Sequence, residues 1–144
     1  MDKTIIARSA REMEEIGIDL ASSLSDGTLI SLVGSLGSGK TTLVKGIAKG
    51  LLITQVVVSP SYLLAREYHG RLTLHHLDAY RVAYLAELAE VGLDQLLPPE
   101  TGVTAVEWPT RVEGIVEVSD ILIQIDLRDD EARRVRIKGS DLVF

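Results

Sequence analysis

The hydrophobic positions change period several times along the chain, and each change marks an element. Met13, Ile16, Leu20 and Leu24 recur at helical spacing behind Ser9 and Glu12, a pair that fits a capping box, so a helix is predicted over 10–24. After the Asp26-Gly27 turn, residues 28–33 form a short apolar run suited to a strand covered on both faces. Residues 40–50 carry Leu43 and Ile47 on one side, with Leu51 beyond, and end on a glycine, which predicts a second helix. Residues 63–68 and 72–77 flank His69-Gly70 and predict a hairpin. A helix is predicted over 83–90 and a buried strand over 103–107, while Ile121, Ile123 and Ile125 alternate as a half-buried strand does. Val135 and Ile137, set between Arg134, Arg136 and Lys138, predict a closing edge strand with its basic side in solvent. Strands alternating with helices, without an internal repeat or a low-complexity linker, give an α/β protein with a mixed sheet.

Length and composition narrow the possibilities. The 144 residues suit one domain over 1–144, and 46% hydrophobic with 25% charged residues is enough apolar material for a core. The 15 basic and 21 acidic residues leave a net charge of −6, which opposes the counterion release behind generic nucleic-acid binding. The absence of cysteine excludes disulfides and thiolate-bound metals and suits a reducing compartment, so the cytoplasm is expected. No apolar stretch has the length of a signal peptide or membrane span, and no membrane association is expected.

The strongest chemical signal is Gly34-Ser35-Leu36-Gly37-Ser38-Gly39-Lys40-Thr41, a full match to the Walker A pattern between a predicted strand and a predicted helix. Glycines free successive backbone N–H groups to close around phosphate oxygens, and the helix N-terminus adds a favourable field. Lys40 is expected at the β- and γ-phosphates, the Thr41 hydroxyl on Mg²⁺, and Thr42 at the α-phosphate. The match implies a P-loop NTPase-like three-layer fold, with a mixed, largely parallel central sheet and helices on both faces. ATP is preferred over GTP because the chain contains no asparagine, so an Asn-Lys-x-Asp guanine reader cannot be present.

Hydrolysis also needs an acid near the metal and a group to orient water, usually at the carboxyl ends of neighbouring strands. Asp78 and Glu107 each end an apolar run, and either could hold Mg²⁺ through water while the other positions the nucleophile. Other features carry less. His75 and His76 are adjacent on a strand, so they point to opposite faces and cannot chelate one metal. Trp108 fits a core plug as well as a pocket wall, and Arg81 fits a surface ion pair better than a phosphate contact.

Taken together, the Walker A run through Thr42, Ser59-Pro60-Ser61-Tyr62, His76-Leu77-Asp78-Ala79-Tyr80-Arg81, the stretch from Glu87 to Gly92, and Val106-Glu107-Trp108-Pro109 resemble the successive motifs of the bacterial TsaE (YjeE-type) ATPases. The resemblance spans nearly the whole chain, and the later motifs are specific where Walker A alone is not. It implies a small ATPase that assists TsaD and TsaB in making N6-threonylcarbamoyladenosine at position 37 of tRNA, with tRNA contacted only through that complex. By the same resemblance Ser59 to Tyr62 and His76 to Arg81 act as switch-like segments. Thr41, Asp78 and Glu107 handle Mg²⁺ and hydrolysis, and Trp108 lies beside the nucleotide. The chain departs from the pattern at Ser61, where threonine is usual, at Leu63 and Ala65, and at Val116-Glu117, where Leu-Pro is usual. Met13 falls where the family often has a threonine, so no site role is assigned to it.

The expectation is therefore a Mg²⁺-dependent ATPase, monomeric when free, weak alone for want of an evident arginine finger, and stimulated by its partners. Two alternatives keep the same loop: a small-molecule kinase, and an ATP-responsive binding module without useful turnover.

Overall fold

The computed structural model describes residues 2–60 and 64–139. Its centre is one seven-stranded sheet. The strands are β1 (Asp2–Ala7), β2 (Thr28–Gly34), β3 (Ala65–His69), β4 (Thr73–Asp78), β5 (Val103–Glu107), β6 (Ile121–Leu127) and β7 (Arg133–Gly139), in spatial order β1-β7-β6-β2-β5-β4-β3. The four inner strands β6, β2, β5 and β4 run parallel, and β3, β7 and β1 are added antiparallel at the flanks. The sheet is mixed as expected, with its parallel part confined to the strands that frame the phosphate loop.

Helices α1 (Ala10–Ala21) and α2 (Lys40–Gly50) cover one face. Leu20, Leu43, Val44 and Ile47 are buried there with Ile30, Leu32, Ile123 and Val135 from the sheet. The two helices cross at very short range: a Cβ added to Gly46 would lie 2.1 Å from the Glu14 carbonyl oxygen. Short helices α3 (Leu85–Glu90) and α4 (Ile115–Val118), with 3₁₀ turns at Leu93–Leu96 and Pro109–Arg111, cover the other face. Leu29, Leu77, Val106, Leu88 and Ile115 form its smaller core. Covered on both sides, β5 is buried along its whole length, which is why its sequence reads as an unbroken apolar run.

The helix starts follow local chemistry. The Ser9 hydroxyl oxygen accepts from the Glu12 N–H at 3.1 Å, and Glu12 Oε1 accepts from the Arg8 N–H at 2.9 Å, one residue ahead of the usual capping-box donor. The helix ends at Ala21, short of the predicted Leu24, because the Ser22 hydroxyl donates to the Asp19 carbonyl at 2.8 Å and competes with the helical ladder. Leu24 is nevertheless buried. The helix predicted from residue 83 begins at Leu85, since Tyr84 is extended and the Glu87 carboxylate accepts from the Ala83 N–H.

One strand assignment needs correction. Val135 and Ile137 do not lie on an edge: β7 is sandwiched between β6 and β1, and the edge is β1, which the sequence did not mark. The segment Asp2–Ala7 is half exposed and carries too few apolar residues to announce a strand. Arg134, Arg136 and Lys138 do face solvent. The predicted hairpin is present as β3 and β4, paired from Ala65↔Leu77 to His69↔Thr73. Residues 61–63, which include the start of its first predicted strand and Ser61-Tyr62, lie outside the described residues. Among the described residues no helix is long and apolar enough to cross a membrane.

Candidate functional site

Three strand ends meet at one edge of the parallel sheet. Register places Glu107, the last residue of β5, opposite Leu32 of β2 on one side and Asp78 of β4 on the other. The loop from Gly34 to Gly39 leaves β2 beside them and turns into α2. Gly37 and Gly39 have φ of +77° and +111°, values that side chains disfavour. Gly39 is the N-cap of α2 and supplies no side-chain cap, so the first amides of that helix remain available to an anion.

The predicted site residues converge on an open cleft of about 260 Å³, lined by residues 36–42 with Ser59, Asp78, Glu107 and Trp108. Ser35 takes part through its carbonyl. Lys40 Nζ donates to the carbonyls of Gly34 at 2.6 Å and Ser35 at 3.0 Å. Burial holds its ammonium below the ordinary lysine range, while the carboxylates of Glu107 and Asp78 pull in the opposite direction. The Thr41 hydroxyl donates to Glu107 Oε2 at 2.9 Å. Asp78 Oδ1 accepts from the Tyr80 N–H at 2.9 Å, which orients that carboxylate, and the Ala79 N–H binds the Glu107 carbonyl. Both acids are buried, with relative exposures of 7% for Asp78 and 4% for Glu107. Two neighbouring buried carboxylates beside one lysine form a setting that favours a further cation.

Trp108 acts as a wall rather than a core plug. Its backbone is left-handed, with φ +59°, and its ring lies 4.0 Å from Lys40 Nζ. Tyr80 packs edge-on against it at 4.9 Å, and the Arg111 guanidinium lies 4.6 Å from the Tyr80 ring. A cation–aromatic stack therefore runs from the loop lysine out to Arg111, and links the segment after β4 to the segment after β5.

Reasoning from sequence missed three participants. His76 entered only as a discounted metal ligand and as the start of a longer segment, yet its ring is fully buried and its Nε2 lies 2.6 Å from Glu107 Oε2. Strand alternation could have found it, because positions 76 and 78 share a face. His75 points the other way, to the Thr101 carbonyl at 3.3 Å, so the two histidines do diverge. Arg133 reaches back from β7 and donates through Nε to the Ser38 carbonyl at 3.1 Å. Met13, given no role above, lines a second hollow of about 200 Å³ with Arg8, Glu131 and Arg133, and this hollow shares Gly37, Ser38, Gly39 and Thr42 with the first.

Comparison with known proteins shows the family and the fold. The sequence profile of the family described as threonylcarbamoyl adenosine biosynthesis protein TsaE matches residues 7–135. The tRNA threonylcarbamoyladenosine biosynthesis protein TsaE of Treponema pallidum (strain Nichols) is 38% identical over 123 residues, 85% of this chain and 89% of that protein. The protein of the same name from Nostoc sp. (strain PCC 7120) is 42% identical over 104 residues, 67% of this chain but 62% of its own greater length. The crystal structure of Bacillus subtilis YdiB superposes with a TM-score of 0.78 at 30% identity, covering 96% of this chain and 86% of that one. With every strand end that frames the cleft inside the matched span, the chain belongs to the TsaE family.

Proposed function

We propose that the chain is a Mg²⁺-dependent ATPase that serves the formation of N6-threonylcarbamoyladenosine at position 37 of tRNA, with hydrolysis driving or resetting a TsaD–TsaB transferase complex. The observation that carries this reading is the meeting of Thr41 and Glu107 at 2.9 Å, at the mouth of a glycine loop whose lysine lies in the same cleft. The pathway comes from the names of the relatives, which are tRNA threonylcarbamoyladenosine biosynthesis proteins.

The donor set fits magnesium. Thr41, Glu107 and Asp78 offer hard oxygen atoms, and among the described residues no group of three or more histidine, cysteine or acidic side chains forms a self-sufficient metal site. Magnesium is typically held by one or two carboxylates together with substrate phosphates, so a partial protein site suits it. Thr41 with Glu107 or Asp78 would hold the ion, which supplies neutralisation of phosphate charge when bound. Lys40 gives up its two loop carbonyls to meet the phosphates. Glu107 or Asp78 accepts a hydrogen bond from the attacking water and orients it. Trp108 covers Lys40 and limits access of bulk solvent. The hollow beside Gly37 to Gly39, floored by Met13 and edged by Arg133, accommodates the nucleoside end. Partner proteins dock on the segments around Ser59 and from Asp78 to Arg81, in which Ser59 and Asp78 line the cleft and Tyr80 packs on its Trp108 wall.

The test is reconstituted modification of tRNA with purified TsaD and TsaB. Wild-type protein should support repeated product formation with ATP, and Glu107→Gln should fall to about one product per complex or less. Equal yields from the two would refute a role for hydrolysis.

A further inference from the structure

We propose that His76 is a positioning residue for Glu107: it fixes the carboxylate against Thr41 from within the sheet. The inference rests on the ATPase reading for its consequence in turnover, but its structural part stands independently.

Glu107 Oε2 accepts two hydrogen bonds from different elements, one from the Thr41 hydroxyl at 2.9 Å and one from His76 Nε2 at 2.6 Å. Two donors on one oxygen define the plane of the carboxylate, and Oε1 takes part in neither bond. The two donors sit on different elements. Thr41 lies in the first turn of α2 and lines the cleft. His76 lies on β4, one strand from Glu107, with its ring at 0% exposure. The bond made inside the sheet therefore holds Glu107 independently of its bond to Thr41.

The other ring nitrogen supports this assignment. His76 Nδ1 is buried and has no hydrogen-bond partner among the described residues. The arrangement is satisfied by the tautomer that carries its hydrogen on Nε2 and donates to Glu107, leaving Nδ1 a bare acceptor. A buried polar atom left unpaired is destabilising. An apolar residue of similar size would fill the same space without that cost, so packing alone gives no reason for histidine here. The bond to Glu107 does.

Two substitutions separate positioning from packing. His76→Gln keeps an N–H donor at about the reach of Nε2, and His76→Met keeps length and apolar character without the donor. In His76→Met, kcat for ATP hydrolysis should fall by about 10- to 100-fold with KM within about threefold of wild type, the usual scale for losing a group that orients a ligand or acid. His76→Gln should recover most of the rate. Crystal structures of both variants supply the second readout: the Thr41 Oγ1 to Glu107 Oε2 contact is kept in His76→Gln and lost in His76→Met. Retention of that contact in His76→Met, or equal loss of rate in both variants, would overturn the proposal. Should His76→Met fail to fold, His76→Gln decides alone, by keeping or losing both the contact and the rate. A wild-type protein without any hydrolysis would instead refute the ATPase reading, and the structures would still decide what His76 does.

Discussion

Lys40 shows how much one side chain decides at the residue scale. It is buried, donates to two carbonyls of its own loop and faces the Trp108 ring, so the phosphate binding proposed above would exchange one set of partners for another. A charge-assisted hydrogen bond contributes about 1.5–3 kcal/mol, so Lys40→Ala should weaken ADP binding by roughly 10- to 100-fold, measured by calorimetry. Its lowered pKa also sets a pH dependence. Bound phosphate raises that pKa, so the complex keeps its proton to higher pH than the free protein. Affinity is then full below the pKa of the free protein and declines as pH rises through it, beginning below the ordinary lysine value of about 10.4. Titrations with ADP between about pH 7 and pH 10 check this, and a flat profile would contradict it. The acids were legible at this scale because Asp78 and Glu107 each end an apolar run, where a parallel sheet presents its ligands. The face of His76 was legible too, by strand alternation with Asp78, but its partner was not, and Arg133 was not legible at all. Their contacts join residues 31 and 95 positions apart, and no local pattern names such partners.

Among the elements, the two long helices and the inner strands were readable because period and punctuation agree within each segment: Ser9 before α1, glycine before α2, an unbroken apolar run in β5. The outermost strand β1 was not. A strand such as β1 draws its stability from pairing with β7, from Asp2↔Lys138 to Ala7↔Arg133, rather than from its own apolar content. The crossing of α1 and α2 was also invisible, because a glycine within a helix reads as a weakness until its neighbour is known. Gly46→Ala would push a methyl group into the Glu14 backbone, which cannot yield as a side chain would. We predict a loss of about 3 kcal/mol, at the upper end for overpacking, in urea unfolding. A change below about 0.5 kcal/mol would show that the helices separate freely. Because α2 carries Lys40 and Thr41, the same variant should also weaken nucleotide binding.

For the whole molecule, charge and cleft point to different partners. A net charge of −6 disfavours an independent grip on tRNA, whereas the proposed function gives the cleft a local role, holding an anion with its metal. Binding of bare tRNA at about 0.15 M salt should therefore be undetectable without the transferase subunits, checked by filter binding. The stack from Lys40 through Trp108 and Tyr80 to Arg111 connects the loop to exposed surface, with Tyr80 at 46% exposure. A partner that touches Tyr80 or Arg111 thus has a short physical route to the lysine. The proposed function requires that this cleft turn over ATP and that the partners control the rate. The direct measurement is phosphate release from Mg²⁺-ATP by the purified protein, alone and with TsaB and TsaD. Slow release alone, about 10-fold or greater stimulation by the pair, and loss of both in Glu107→Gln are expected. Equal rates with and without the pair, or an unchanged rate in Glu107→Gln, would contradict the proposed function.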